Sequence, residues 1–423
     1  MLTGHAGMVV DRGAPNASPS GRVRAENILL VFWVAYLIGN LFYVFKSGLP
    51  QPSDLAMALA VFMSVSGVVA RMPVHSSLYL LGASTVVWFA IVNLIWFGML
   101  RDPRFVLSSL YYVYNFAVVA AIVTMFAHLG ESFIRTTMAA LFVASGIEVV
   151  AVLVLGGDMV RGIGTFNNPN QLGYWVLLAT TAWIVLKGRS GLNGIDLILF
   201  SANGYLVMKS LSKAAISSFY LLIVMAVLFQ GFARGWRFPL LVAFCFGVGA
   251  VTFQPQTVDK ILNEGIVAKV INHFDGALSE NDSTAEGRGY DRIWLHPWHL
   301  FVGAGEGAFA RFTDKSGDKG IEMHSTWGTI LFSYGIVGFS LLAACLLAIF
   351  RPAPWQHWLY FVPVALYGVT HQGVRFTMLW ILFGIIFGMA QHTRSRDRAE
   401  HRSPSSWSRP STNPSPKPAL NKY

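Results

Sequence analysis

Apolar runs long enough to cross a bilayer recur along this chain from Ile28 to Ala390. The chain is 54% hydrophobic and only 12% charged, whereas soluble domains carry about 25% charged residues. Within lipid every backbone polar group must be paired inside the protein, so runs of this length fold as helices. We therefore predict an all-α fold, a polytopic membrane bundle of about twelve transmembrane helices.

The predicted bundle covers residues 28–391 and is preceded by a cytoplasmic N-terminal segment, 1–27. A basic tail, 392–423, follows it, and the Ser, Pro and Arg content of this tail predicts disorder. One large polar loop, 255–325, stands before the tenth span. The predicted spans are 28–45, 55–70, 78–100, 105–127, 134–156, 171–187, 195–208, 214–230, 238–254, 326–350, 356–370 and 376–391.

The distribution of Lys and Arg over the short loops predicts the orientation. With the N-terminus inside, the inner segments carry seventeen basic residues and the short outer loops carry seven. Both termini are then cytoplasmic and the loop 255–325 faces outward. The net charge of +10 is spread over short loops and the tail, a pattern that does not indicate a nucleic-acid partner but does suit contact with membrane lipids.

Several outer cations oppose this charge bias and lie on the same face as the large loop. Charged groups at a membrane boundary are costly unless they are paired or used, so these residues predict a pocket for an anion. The alternative is that they are ordinary interfacial side chains whose charged ends reach water. The residues concerned are Arg161, Lys209, Lys213 and Arg375, together with Arg288 and Arg292 of the loop.

The segment from Arg161 to Asn170 reads Arg-Gly-Ile-Gly-Thr-Phe-Asn-Asn-Pro-Asn and leads directly into the sixth span. Its glycines free backbone N–H groups, Asn170 is placed to cap the next helix, and a helix N-terminus attracts anions. By composition alone, a well-capped turn that returns the chain to the membrane explains the segment equally well.

Arg-x-x-Gly-Thr-Phe-x-Asn-Pro-Asn before an apolar span resembles the signature of the O-antigen ligase/polymerase superfamily. The order of later features is also similar: an Arg-bearing outer loop, a Gly-x-Gly turn at Gly303 and Gly305, and His324 just ahead of a span. The resemblance covers roughly residues 161–338. It implies a bacterial inner-membrane glycosyltransferase that is inverting and metal-independent, uses no cofactor, and takes its glycan from undecaprenyl diphosphate at the outer face.

The resemblance also implies roles for individual residues. His324 is the expected catalytic base for the acceptor hydroxyl, and Arg288 is the expected diphosphate ligand, with Arg292 as the competing match. The other cations and Asn170 are expected to bind substrate. A histidine with a pKa near 6.5 suits removal of one proton, and fixed cations suit a departing diphosphate. Without the surrounding pattern, His324 would be an ordinary histidine at the start of a helix.

Two positions depart from the family pattern. The family often has Ser-Arg where this chain has Ser212-Lys213, which keeps the charge but loses the planar fork that suits phosphate. The residue after the loop histidine is often Asn, whereas here it is Ser325. The partner that orients His324 is therefore not defined by the pattern, although Glu306 and Glu322 are available.

The prediction is a polysaccharide polymerase that joins lipid-linked repeat units, with a glycan or a lipid as acceptor. The alternative is a ligase that passes finished glycan to lipid A-core. A secondary transporter belongs to a different class and often has twelve spans. The two halves of this chain show no internal repeat, however, and the cations cluster at the outer boundary rather than at the midplane.

Overall fold

The computed structural model describes residues 19–45, 49–66, 76–155, 161–188, 190–231, 288–312 and 322–402. This part of the chain is helical and contains no strand, which confirms the all-α class. The helices are α1 (Pro19–Gly39), α2 (Pro52–Val65), α3 (Ser76–Leu100), α4 (Arg104–Leu129), α5 (Glu131–Leu155), α6 (Pro169–Lys187), α7 (Gly194–Ser210), α8 (Lys213–Gln230), α9 (Arg292–Leu295), α10 (His299–Val302), α11 (Thr326–Phe350), α12 (Trp355–Thr370) and α13 (Thr377–Arg402), with a 3₁₀ turn at Phe309–Phe312.

Eleven of the predicted spans fall on these helices, and the ninth, 238–254, lies outside the described residues. Five of the described helices are long and apolar enough to cross a membrane, namely α3, α4, α5, α8 and α11. Two helices extend beyond their predicted spans by nine residues or more. The first, α1, begins at Pro19, and α13 continues to Arg402, where its last turns contain four arginines, a residue that favours helix. Part of the predicted tail is therefore helical.

The centre of the bundle is α6, which is buried on every side from Leu172 to Leu186. A helix that is apolar all round needs such surroundings. On one flank α13 packs closely against α4, where a Cβ at Gly384 would stand 2.9 Å from Ile122 and one at Gly388 would stand 2.3 Å from Phe126. These two glycines let the helix backbones approach.

A buried ion pair joins α6 to α7 at the end opposite the cavity described below. Lys187 Nζ lies 2.6 Å from Asp196 Oδ2, with side-chain exposures of 7% and 1%. Trp183 Nε1 donates to the other carboxylate oxygen of Asp196 at 2.8 Å, and the backbone N–H of Asn193 donates at 2.5 Å. The carboxylate thus meets three donors, which offsets the cost of removing two charges from water.

Candidate active site

A cavity of about 480 Å³ lies where the ends of several helices meet. Its walls come from the end of α1, the start of α2, α4 and α6, the residues 322–324, and the junction between α12 and α13. Amides, tyrosines and charged groups share the lining with a few apolar side chains. The lining residues are Asn40, Tyr43, Leu49, Gln51, Asp54, Tyr111, Asn168, Asn170, Gln171, Tyr174, Glu322, Met323, His324, Tyr367, His371, Gln372, Gly373, Arg375, Phe376 and Thr377.

Arg161 lies beside this cavity rather than pointing away from the bundle. Its Nε donates to the carbonyl of Ser210 at 3.1 Å, and its guanidinium donates to Asn170 Oδ1 at 3.1 Å. Partial burial lowers the pKa of Arg161 but leaves a guanidinium charged at any physiological pH. The structure thus brings two of the predicted substrate-binding residues, Arg161 and Asn170, into direct contact.

The helix cap of α6 differs from the sequence prediction. Asn168, and not Asn170, caps the helix, since its Oδ1 accepts from Gln171 N at 2.9 Å. The reason is Pro169, which occupies the first helical position because its missing N–H costs nothing there. The cap therefore falls two residues earlier, and Asn170, already inside the helix, turns its side chain to Arg161.

The Gly-Thr-Phe part of the same segment fastens the loop to the bundle. Thr165 Oγ1 donates to the carbonyl of Leu41 at 2.6 Å and also contacts the buried Glu148 carboxyl of α5. Gly164 has φ +58°, and a Cβ there would collide with Glu148. Phe166 is buried 5.5 Å from the ring of Tyr43. These residues are structural.

Arg288 and His324 meet near His371, at the edge of the cavity. The backbone N–H of His324 donates to the carbonyl of Arg288 at 3.0 Å, and the Arg288 guanidinium donates to the carbonyl of Thr370 at 2.6 Å. Arg292 is 93% buried, and its guanidinium stands 5.8 Å from the ring of Phe312. Of the two competing arginines, Arg288 is thus the one that adjoins the cavity.

His371 lies at the point where these cations converge. Its ring stacks on Tyr367 with a centroid distance of 4.7 Å, and its Nδ1 lies 3.0 Å from Thr370 Oγ1. Burial, together with the nearby charges of Arg288, His324 and Arg161, lowers the pKa of His371 to about 4. His371 is therefore neutral at neutral pH.

The neighbouring hydroxyl indicates which ring nitrogen of His371 carries the proton. Thr370 Oγ1 donates to the carbonyl of Tyr367 at 3.3 Å, which uses its one hydrogen. The hydroxyl can then only accept from Nδ1, so we assign the proton to Nδ1 and a lone pair to Nε2. A neutral acceptor nitrogen is thus held near the guanidinium groups of Arg161 and Arg288 and the ring of His324.

Arg375 forms a second charged group on the cavity wall. It pairs with Glu322, whose carboxylate accepts from the guanidinium. Burial opposes the charge of Arg375, but Glu306 and Glu322 outweigh that effect and raise its pKa. Arg375 is consequently a cation whose charge is offset by Glu306 and Glu322.

The two lysines occupy the rim of the structure rather than the cavity. The Lys209 carbonyl accepts from Gly162 N at 2.8 Å, and its ammonium lies 6.0 Å from the Tyr205 ring. Lys213 is the first residue of α8. Among the described residues, neither lysine lines the cavity, and neither do Arg161, Arg288 and Arg292.

Sequence reasoning missed the contribution of α1, α2 and α4. Asp54 accepts from Gln51 N at 2.7 Å and from Tyr114 OH at 3.2 Å, and it lines the cavity beside Gln51. The available signal was a lone acid in the first turn of an apolar helix. A capping box explains that acid equally well, so the sequence could not distinguish the two roles.

The chain matches no protein-family model, and the comparison with curated proteins finds no significant match.

Proposed function

We propose that this protein is a membrane glycosyltransferase that transfers a glycan from a lipid-linked diphosphate to a hydroxyl acceptor. The observation that carries the proposal is that Arg161, Arg288 and His324, far apart in sequence, all lie near His371 at the edge of a polar cavity that both histidines line. Guanidinium groups suit a diphosphate because they combine permanent charge with a planar set of donors.

In the proposed reaction, the acceptor oxygen attacks the anomeric carbon and the bond from that carbon to the diphosphate oxygen breaks. The acceptor proton passes to His324, while the electron pair leaves with the diphosphate. Arg161 and Arg288 stabilise the negative charge that develops on the leaving group. Attack opposite to the leaving group inverts the anomeric configuration.

The remaining cavity residues suit the sugar. The ring of Tyr111 offers an apolar face, and the side-chain amide of Gln171 carries both a donor and an acceptor. His371 fits this scheme as a neutral hydrogen-bond acceptor that positions a hydroxyl near His324, since its Nε2 holds a lone pair. Its low pKa makes it a poor proton acceptor, which leaves that step to His324.

We further propose that the cavity faces the outside of the bacterial inner membrane, that both termini are cytoplasmic, and that the product is a polysaccharide. The order of the Arg-bearing loop and Gly-Glu-Gly turn, Gly305 to Gly307, supports a polymerase of undecaprenyl-linked repeat units. A ligase that uses the same donor requires the same corner of cations, so the acceptor distinguishes the two functions.

The test is complementation of a strain that lacks this protein with His324→Ala and Arg288→Ala. Both variants are expected to insert normally and to abolish glycan assembly, with lipid-linked units accumulating. Arg104→Ala is the matched control, because Arg104 lies at the same end of the bundle and pairs with Asp102 at the exposed surface.

The nature of the accumulated material decides between the two transferases. Single repeat units attached to lipid A-core indicate a polymerase defect, and long unattached chains indicate a ligase defect. Full activity of both variants at normal expression would refute the proposed site and leave a transporter as the better hypothesis.

A further inference from the structure

The residues 292–307, which we call the inserted segment, contact the helices well below their ends. Trp96 Nε1 donates to the carbonyl of Gly303 at 3.0 Å, and the Glu306 N–H donates to Asn93 Oδ1 at 2.8 Å. Asn93 stands seven residues before the end of α3 at Leu100, so at 1.5 Å per residue the contact lies about 10 Å below that end.

Two other helices give the same depth. Tyr112 OH donates to Glu306 Oε1 at 3.0 Å, and Tyr112 lies about 12 Å along α4 from its start. On α11 the carbonyl of Phe332 accepts from Ala304 N at 2.9 Å, about 9 Å from the start of that helix. The contacts with α3, α4 and α11 therefore place the inserted segment between these helices at a similar depth below their ends.

The helix α11 is interrupted where it meets this segment. Gly335 has φ +67°, and a Cβ there would stand 2.5 Å from the carbonyl oxygen of Phe301. Just before it, the carbonyl of Ser333 accepts from Gly305 N at 2.7 Å instead of continuing the helix. The helical geometry of α11 is thus interrupted at Gly335, where the backbone of the inserted segment packs against it.

The contacts of the inserted segment lie further from the helix ends than those ends would project beyond the hydrocarbon core of a bilayer. The helices α3, α4 and α11 contribute 24, 26 and 25 residues as candidate spans, which corresponds to about 36–39 Å against a hydrocarbon core of about 30 Å. If the helices are centred, their ends project by about 3–5 Å. Non-helical backbone at this depth must be buried in protein, and Gly303 to Gly307 is buried throughout.

The other side of the inserted segment is apolar and exposed. Between the start of α9 and the end of α10, five large hydrophobic side chains are between 53% and 79% exposed. These are Trp294, Leu295, Trp298, Phe301 and Val302. On α3, Leu94 and Ile95 are 54% and 58% exposed at the level of the same contacts.

We propose that the inserted segment is a re-entrant element whose apolar side chains lie against the lipid acyl chains of one leaflet. The occupant of this surface is the bilayer, because the surface lies at the same depth as the exposed apolar residues of a candidate membrane-spanning helix, α3. The placement explains why tryptophan, which favours the membrane interface, occurs twice within five residues here. It does not depend on the transferase proposal.

The proposal is tested with spin labels on single cysteines introduced at Trp298 and Phe301. Cys245 and Cys345 are first replaced by alanine in the full chain, which is then reconstituted in lipid nanodiscs. Power-saturation electron paramagnetic resonance compares collision of the label with oxygen, which concentrates in lipid, and with a water-soluble nickel chelate. Leu94→Cys on α3 is the lipid-facing reference, and Arg101→Cys, just beyond the end of that helix, is the aqueous reference.

Labels at positions 298 and 301 are expected to collide with oxygen more than with nickel, as the label at 94 does. A nickel preference like that at position 101 would overturn the proposal, because the segment would then lie in water. Low access to both reagents would also overturn it, since protein rather than lipid would cover the surface.

Discussion

Replacing His371 by glutamine removes a titrating group whose protonation opposes folding. The pKa of His371 falls from an ordinary 6.5 to about 4 through burial and through the charges of Arg288, His324 and Arg161. Between these two values the unfolded chain binds a proton that the folded chain does not bind. The free energy of unfolding therefore decreases as the pH falls from about 6.5 to about 4, and is restored above 6.5.

This pKa shift lowers the free energy of unfolding by about 3 kcal/mol between pH 7 and pH 4, at roughly 1.4 kcal/mol per pH unit. An unfolding entropy of about 2 cal/mol/K per residue converts this to roughly 3–4 °C in melting temperature for a chain of this length. Wild-type protein is thus expected to lose about 3–4 °C more than His371→Gln on the same change of pH, because carboxyl titrations occur in both and cancel.

The measurement is tryptophan fluorescence during heating in detergent at a fixed scan rate, since the unfolding of such chains is often irreversible. His128→Gln, near the far end of α4, is the control and is expected to follow the wild type. Equal pH dependence of wild type and His371→Gln would refute the idea that His371 is buried and neutral among the cations.

Two further predictions concern the packing of the bundle and use the same melting assay. Gly335→Val is expected to lower the melting temperature strongly, because φ +67° disfavours a side chain and its Cβ would strike the carbonyl oxygen of Phe301. The control is Gly146→Ala, where nothing lies within 4 Å of a new Cβ. This control is expected to leave the melting temperature unchanged. Lys187→Met should cost about 3–5 kcal/mol by leaving a buried carboxylate without its cation, and the double variant with Asp196→Leu should recover much of that loss. A double variant no more stable than Lys187→Met would contradict the assignment of that loss to the stranded charge.

Hydrophobic runs allowed the helices to be predicted because lipid forces each run into the same structure. The inserted segment could not be predicted in that way, since α9 and α10 are only four residues each. The backbone of Gly305 and Glu306, which follow α10, is paired by the distant groups Ser333 and Asn93. For the site, Arg161, Arg288 and His324 were predicted from the family resemblance and from their placement at one face, and the structure places all three near His371. The cap at Asn168 and the orientation of His371 depend on local contacts that spacing does not encode.

The fastening of the Gly-Thr-Phe loop affects what the motif can reveal about other proteins. Thr165 binds Leu41 and Glu148, and Asn168 caps a helix, so these positions are constrained by assembly of the bundle. A chain could change its acceptor sugar, or lose transfer entirely, while every one of those contacts persisted. The presence of the motif in another protein should therefore indicate the same bundle architecture. It should say little about which substrate that protein uses.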